Sequence, residues 1–240
     1  MEIQNQSNTK YYNPVGASVA IADTRKFLLN VYNWMALGLG LTALIAFGLA
    51  RSRVMMDLII QMPFLLWIIV ILQLGIVIGM SAAINKIPSA LAIGGFFLYS
   101  ALTGVTFSTL FLVYTEGSIA STFLVCAAMF ASVSVLGYIT KMDLSKFGTF
   151  LFMGLIGIII ASVVNIFMNS TTLYWIISYA GVLLFVGLTA YDTQKIKQMS
   201  EMTDAGSEEG KKAAVFGALT LYLDFINLFL FLLRIMGSRK

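Results

Sequence analysis

Seven apolar runs, each close to the length that crosses a bilayer, constrain this 240-residue chain more than any other feature. A helix spanning the ~30 Å hydrocarbon core needs about 20 apolar residues. Runs of that length occupy 27–50, 63–84, 89–114, 118–140, 147–168, 172–191 and, as the weakest by hydropathy, 213–236. Most connectors are short, so neighbouring helices must be antiparallel. Only the segment 192–212 reads as a long, charged connector. The expected fold is an all-α integral membrane protein of seven transmembrane helices. It divides into a polar N-terminal tail (1–26), one membrane domain (27–236) and a short basic C-terminal tail (237–240).

Composition agrees with lipid as the surrounding solvent. The chain is 59% apolar and 11% charged, against roughly 45–50% and 25% for a soluble domain. No basic stripe interleaved with aromatics occurs, so nucleic acid is not an expected partner. The single cysteine, Cys126, cannot form an intramolecular disulfide, and thiolate zinc clusters are excluded with it. With no histidine, a pH response near neutrality must come from carboxylates or a lysine in unusual surroundings. The polar first 26 residues carry no short apolar core ending in a cleavage site, so no cleavable signal peptide is expected.

Basic residues orient the chain. With the N-terminus inside, that side holds Lys10, Arg25, Lys26, Lys86, Lys141, Lys146, Lys195, Lys197, Lys211 and Lys212, and the other holds Arg51, Arg53, Arg234, Arg239 and Lys240. Ten against five favours a cytoplasmic N-terminus. Small residues such as Gly75 and Gly79 stand at helix-packing spacing. No G-x-x-x-x-G-K-[ST], G-x-G-x-x-G or H-E-x-x-H motif gives nucleotide binding or zinc hydrolysis a foothold.

The first six runs contain no Asp, Glu, Lys or Arg; the seventh carries Asp224 near its middle. A carboxylate there costs at least ~2.5–3.5 kcal/mol on insertion and persists only where the protein interior satisfies it. Steps of four and three from Thr220 reach Asp224, Asn227, Phe231 and Arg234, a stripe expected to face the core. Asp192 closes the sixth run on the side where the seventh begins. If the sixth helix continues to about Gln198, Lys195 and Lys197 snorkel outward while Asp192 stays below the headgroups. The two aspartates could then meet and share a proton, because two close carboxylates in low dielectric cannot both ionise cheaply. Alternatively, Asp192 is an interfacial charge, and Asp224 a structural latch to Asn227, a tyrosine hydroxyl or a lysine. Asn165, late in the fifth run, joins the polar network or serves as helix–helix glue.

The segments Phe185-Val186-Gly187-Leu188-Thr189-Ala190-Tyr191-Asp192-Thr193-Gln194 and Leu219-Thr220-Leu221-Tyr222-Leu223-Asp224-Phe225-Ile226-Asn227-Leu228-Phe229 closely resemble the signature ends of helices six and seven in the Bax inhibitor-1 family. The resemblance extends to Val31-Tyr32, to Tyr99-Ser100-Ala101-Leu102-Thr103-Gly104 and to Lys141-Met142-Asp143-Leu144-Ser145, and is strongest to the bacterial inner-membrane branch. It implies a central seventh helix wrapped by the other six. It also implies a pH-sensing aspartate pair, Asp192 and Asp224, in a calcium leak. Some bacterial relatives place an arginine in helix two as a bridge to that pair; the second run here offers Gln73, Ser81 and Asn85 but no cation.

Two functions follow as expectations. The first is a pH-sensitive cation leak channel, calcium being the favoured ion because it takes oxygen ligands. Asp192 and Asp224 would bind that calcium weakly and transiently, with Thr220, Asn165, Asn227 and Arg234 as the supporting network. The second is a non-transporting partner of a membrane-anchored ATP-dependent protease or stress complex, working through the N-terminal tail. No resident cofactor is expected, and no enzyme: intramembrane aspartyl proteases carry Gly-x-Gly-Asp, whereas here Thr189-Ala190-Tyr191 and Leu221-Tyr222-Leu223 precede the aspartates.

Overall fold

The structure, a computed structural model, describes residues 14–83 and 86–240, with side chains from Asp23 onward. Residues 1–13, the part of the tail on which protease modulation would rest, and Asn85 lie outside the described residues. The helices are α1 (Pro14–Arg51), α2 (Arg53–Gln61), α3 (Phe64–Ala83), α4 (Ser89–Ser108), α5 (Leu110–Val113), α6 (Glu116–Ile139), α7 (Gly148–Met168), α8 (Thr171–Met202) and α9 (Glu208–Met236). Seven stretches are long and apolar enough to cross a membrane. They coincide with the seven runs, α4 and α5 together forming the third.

Local chemistry marks the breaks. Ser52 leaves the helical region and its hydroxyl accepts from Met55 N–H, ending α1 and starting α2. This nine-residue helix sits in what reads as a connector and turns Met56 and Ile59 inward. Thr115, Ser170 and Ser207 cap α6, α8 and α9 through their hydroxyls. Asn169 adopts the left-handed conformation that closes α7. At its start α1 reaches back to Pro14, so part of the expected tail is helix.

Two expectations are corrected at the sixth and seventh spans. The 192–212 segment is not a long connector: α8 runs through Met202, and only 203–207 separate it from α9. Nor is the seventh span the weakest by hydropathy, for its most apolar stretch exceeds those of the first, third and sixth. At ~1.5 Å per residue, the 29 residues of α9 extend well beyond the ~30 Å core.

Within α9, 72% of the most apolar stretch is buried, against 6% in α3 and none in α7. Helices α1, α4, α6 and α8 pack on α9, while α3 rests chiefly on α4, and α7 on α8. Aromatic rings fill the centre: Phe123 and Phe130 meet Phe225 from α6, Phe107 meets Phe229 from α4, and Phe185 stacks on Phe231 from α8. A polar knot lies among them. The Thr42 hydroxyl stands 2.8 Å from Ser100 O, 3.0 Å from Gly38 O and 2.6 Å from the Tyr222 hydroxyl. Its one proton goes to a carbonyl, so Tyr222 donates to Thr42.

Close helix crossings use glycines other than the expected pair. A Cβ at Gly75 or Gly79 would meet nothing within 4 Å among the described residues. At Gly137 it would stand 2.6 Å from Ala190 O and 3.0 Å from Ala190 Cα, both backbone atoms of α8. Gly137→Ala is therefore expected to destabilise the protein by about 1–3 kcal/mol in detergent unfolding experiments, with Gly79→Ala within about 0.5 kcal/mol of the parent. Tyr222→Phe, which removes one buried hydrogen bond, should cost about 1 kcal/mol in the same measurement.

Candidate functional site

Asp192 and Asp224 meet at the contact of α8 with α9. Because α8 continues past the apolar run, Asp192 lies inside a helix rather than at its end. It is 8% exposed and Asp224 4% exposed, and their carboxyl groups lie close enough to interact directly. An ionised carboxylate only accepts, so a hydrogen bond between the two would require a proton on one of them. The second oxygen of Asp224, Oδ2, is buried with no hydrogen-bond partner among the described residues. Lys195 stands within electrostatic reach of Asp192 while remaining exposed. Asp192 is thus buried within the bundle, and the charged group nearest Asp224 is the Asp192 carboxyl.

The motif around Asp192 also anchors α8. Gln194 spans the α6–α7 connector, donating from Nε2 to Met142 O and accepting from Leu144 N–H, both at 2.8 Å. Thr193 donates to the Ser134 hydroxyl at 3.3 Å. Lys197 donates to Tyr138 O at 2.9 Å with its ammonium over the Tyr138 ring. Asp192 is thereby carried on a clamped stretch of α8. The sequence reading missed these partners, although Gln194 stands within the motif it singled out.

The stripe along α9 does not face the core as a unit. Asp224 and Phe231 are buried, but Thr220, Asn227 and Arg234 are half-buried. Tyr222 points at Phe96 and Tyr99 of α4, and Phe231 at Phe185 of α8. At ~100° per residue, Thr220, Asn227 and Arg234 fall between those two sides, on the least covered edge of the helix. Thr220 donates to Phe216 O at 3.1 Å and Asn227 to Leu223 O at 2.8 Å, so both spend a proton on their own backbone. Their remaining oxygens flank Asp224 one turn away on either side.

Asn165 and Arg234 do not join the aspartates. Ten residues beyond Asp224, Arg234 lies about 15 Å farther along the axis, over the rings of Phe231 and Tyr174. Asn165 accepts from Ser170 N–H at 3.0 Å and holds the α7–α8 turn. Both line one cavity at the end opposite the pair. Equal spacing on a helical wheel groups Arg234 with Asp224, which the length of α9 separates.

As for calcium, among the described residues no three Asp, Glu or Cys side chains gather closely enough to hold a metal ion. Two carboxyls with Thr220 and Asn227 nearby are a donor set fit for a hydrated ion in transit, not for a dehydrated resident one.

Comparison with known proteins places the chain in a lineage. The profile of the family described as "Inhibitor of apoptosis-promoting Bax1" matches residues 24–240. The inner membrane protein YbhL of Escherichia coli K12 is 51% identical over 220 residues, covering 91% of this chain and 94% of that protein. A Borreliella burgdorferi protein is 46% identical over 215 residues, covering 90% and 93%. A third relative, RP147 of Rickettsia prowazekii, is 43% identical over 217 residues, covering 90% and 91%. With seven membrane-length helices and a match along nearly its whole length, this chain is a multi-pass membrane protein of the Bax inhibitor-1 family.

Proposed function

We propose that the protein is a pH-sensitive cation leak channel, with calcium as its cargo, gated by the proton shared between Asp192 and Asp224. The observation that carries this reading is the close approach of two buried carboxyl groups, Asp192 on α8 and Asp224 on α9. In a chain without histidine it joins two membrane helices through one exchangeable proton. The protein would reside in a bacterial inner membrane with its N-terminus in the cytoplasm, in keeping with the lysine and arginine distribution.

While the proton is shared, the contact between the helices is attractive. Its loss leaves two like charges side by side. At ~4 Å and an effective dielectric near 20, that repulsion is about 4 kcal/mol, enough to shift a two-state packing equilibrium roughly a thousandfold. The same deprotonation doubles the charge offered to a cation. Lys195 offsets part of the repulsion from the Asp192 side. The clamp on α8 leaves α9 as the element that yields, with Thr220 and Asn227 supplying neutral oxygens along its open edge.

The sign follows: calcium flux into liposomes containing the purified protein should rise as pH rises through the loss of the shared proton. Asp224→Asn keeps size and hydrogen bonding but cannot titrate at this site, so its flux should become independent of pH. An unaltered rate and pH profile in that variant would sink the proposal. Asp192→Asn should flatten the profile in the same way.

A further inference from the structure

The aspartate pair leaves unused a polar cavity of about 510 Å³ at the opposite end of the bundle. It opens between the α7–α8 turn and the segment that follows α9, and Asn165, Ser170, Tyr174, Arg234 and Arg239 contribute to its walls. Two of these are arginines, and neither Asp nor Glu lines the cavity among the described residues. Asp57 is in α2, and Glu116 borders a separate apolar cavity beside α1 and α6.

Arg239 is not a loose tail residue. Thr115 N–H donates to Ser238 O at 3.1 Å and Lys240 N–H to Val113 O at 2.9 Å, so backbone bonds hold the chain on both sides of it. These bonds form a short antiparallel bridge between Arg239 and Tyr114. Ser238 N–H also donates to the Ser118 hydroxyl at 2.8 Å. From this fixed backbone Arg239 donates through Nη2 to the Tyr174 hydroxyl at 3.1 Å. The guanidinium carbons of Arg239 and Arg234 lie 5.9 and 5.8 Å from the centroid of the same Tyr174 ring. Holding two cations around one ring without a carboxylate costs Coulomb energy that a bound anion would remove.

The form of the anion follows from the surroundings. Guanidinium groups present paired donors that match the oxygens of a phosphate, and Ser170 and Thr171, at the start of α8, add the positive end of that helix. Outside the cavity, Ile166, Phe167 and Met168 are exposed and apolar, and Trp175 on its wall stacks with Tyr179, the arrangement of an interfacial aromatic belt. A ligand with a phosphate at the cavity and acyl chains along α7 and α8 satisfies both surfaces. We propose that this cavity binds the phosphate headgroup of an anionic membrane lipid at the face opposite the aspartate pair.

Native mass spectrometry of the full-length protein in neutral detergent, titrated with phosphatidylglycerol and separately with inorganic phosphate, tests the assignment. One saturable phosphatidylglycerol is expected. Its apparent Kd should rise about tenfold in Arg239→Gln, with partial recovery in Arg239→Lys, which keeps the charge but not the paired donors. Arg239 is exposed, so the variant should fold, which the unfolding transition in detergent verifies. Phosphatidylglycerol binding unchanged in Arg239→Gln and in the Arg234→Gln, Arg239→Gln double variant would overturn the site. Inorganic phosphate displacing the lipid at equal concentration would overturn the lipid as its occupant.

Discussion

A carboxyl group halfway along a membrane helix cannot face hydrocarbon, and the cost of placing it there governs how this bundle is built. Asp224 draws α9 into the interior, where α1, α4, α6 and α8 pack on it. The partner that meets it is another acid. That choice makes the contact conditional, because two carboxyls attract only through a proton they hold between them. A lysine or arginine in place of Asp192 would have made a lasting ion pair. On the proposed reading, the site is held together in one protonation state and pushed apart in the next.

The two helices that carry the pair are supported unequally. The end of α8 is tied to the α6–α7 connector by Gln194 and Lys197 and crosses α6 at Gly137 with backbone against backbone. Near Asp224, α9 is held mainly by apolar and aromatic packing, which can slide at lower cost than a set of directed hydrogen bonds. Its strongest polar tie, Tyr222 to Thr42, lies on the far side of the helix from Asp224. At the other end, the bridge between Tyr114 and Arg239 keeps the last residues of the chain in register with the start of α6.

Legibility followed physical cause. Membrane-length runs were readable because lipid forces the backbone to satisfy its own hydrogen bonds, and a continuous apolar run of about 20 residues does so as a helix. Asp224 was readable because its cost stands out against six runs without charge. The length of α8 was harder to read. Its last turns are polar, and a helix beyond the hydrocarbon no longer announces itself by hydropathy. The short α2 hid for the same reason, with only Met56 and Ile59 turned inward. Arg234 shares its angular position with Asp224, a measure blind to distance along the axis, and Asn165 stands on another helix whose height beside α9 no spacing reveals. Thr42 carried no signal at all: a lone threonine in an apolar run is ordinary until Ser100 and Tyr222 arrive beside it.

By itself, then, the sequence determined the number of crossings, the helical class, the charge buried in the last span and the presence of a second aspartate in reach of it. Each follows from a local cost that lipid imposes on the residues concerned. Tertiary structure decided which partner Asp224 has, which glycines bring helices together, and that Arg234 and Arg239 gather around Tyr174 rather than near the aspartates. These depend on rotation, crossing angle and height along helices from distant parts of the chain. No periodicity within one helix encodes them, because they arise only where two surfaces meet.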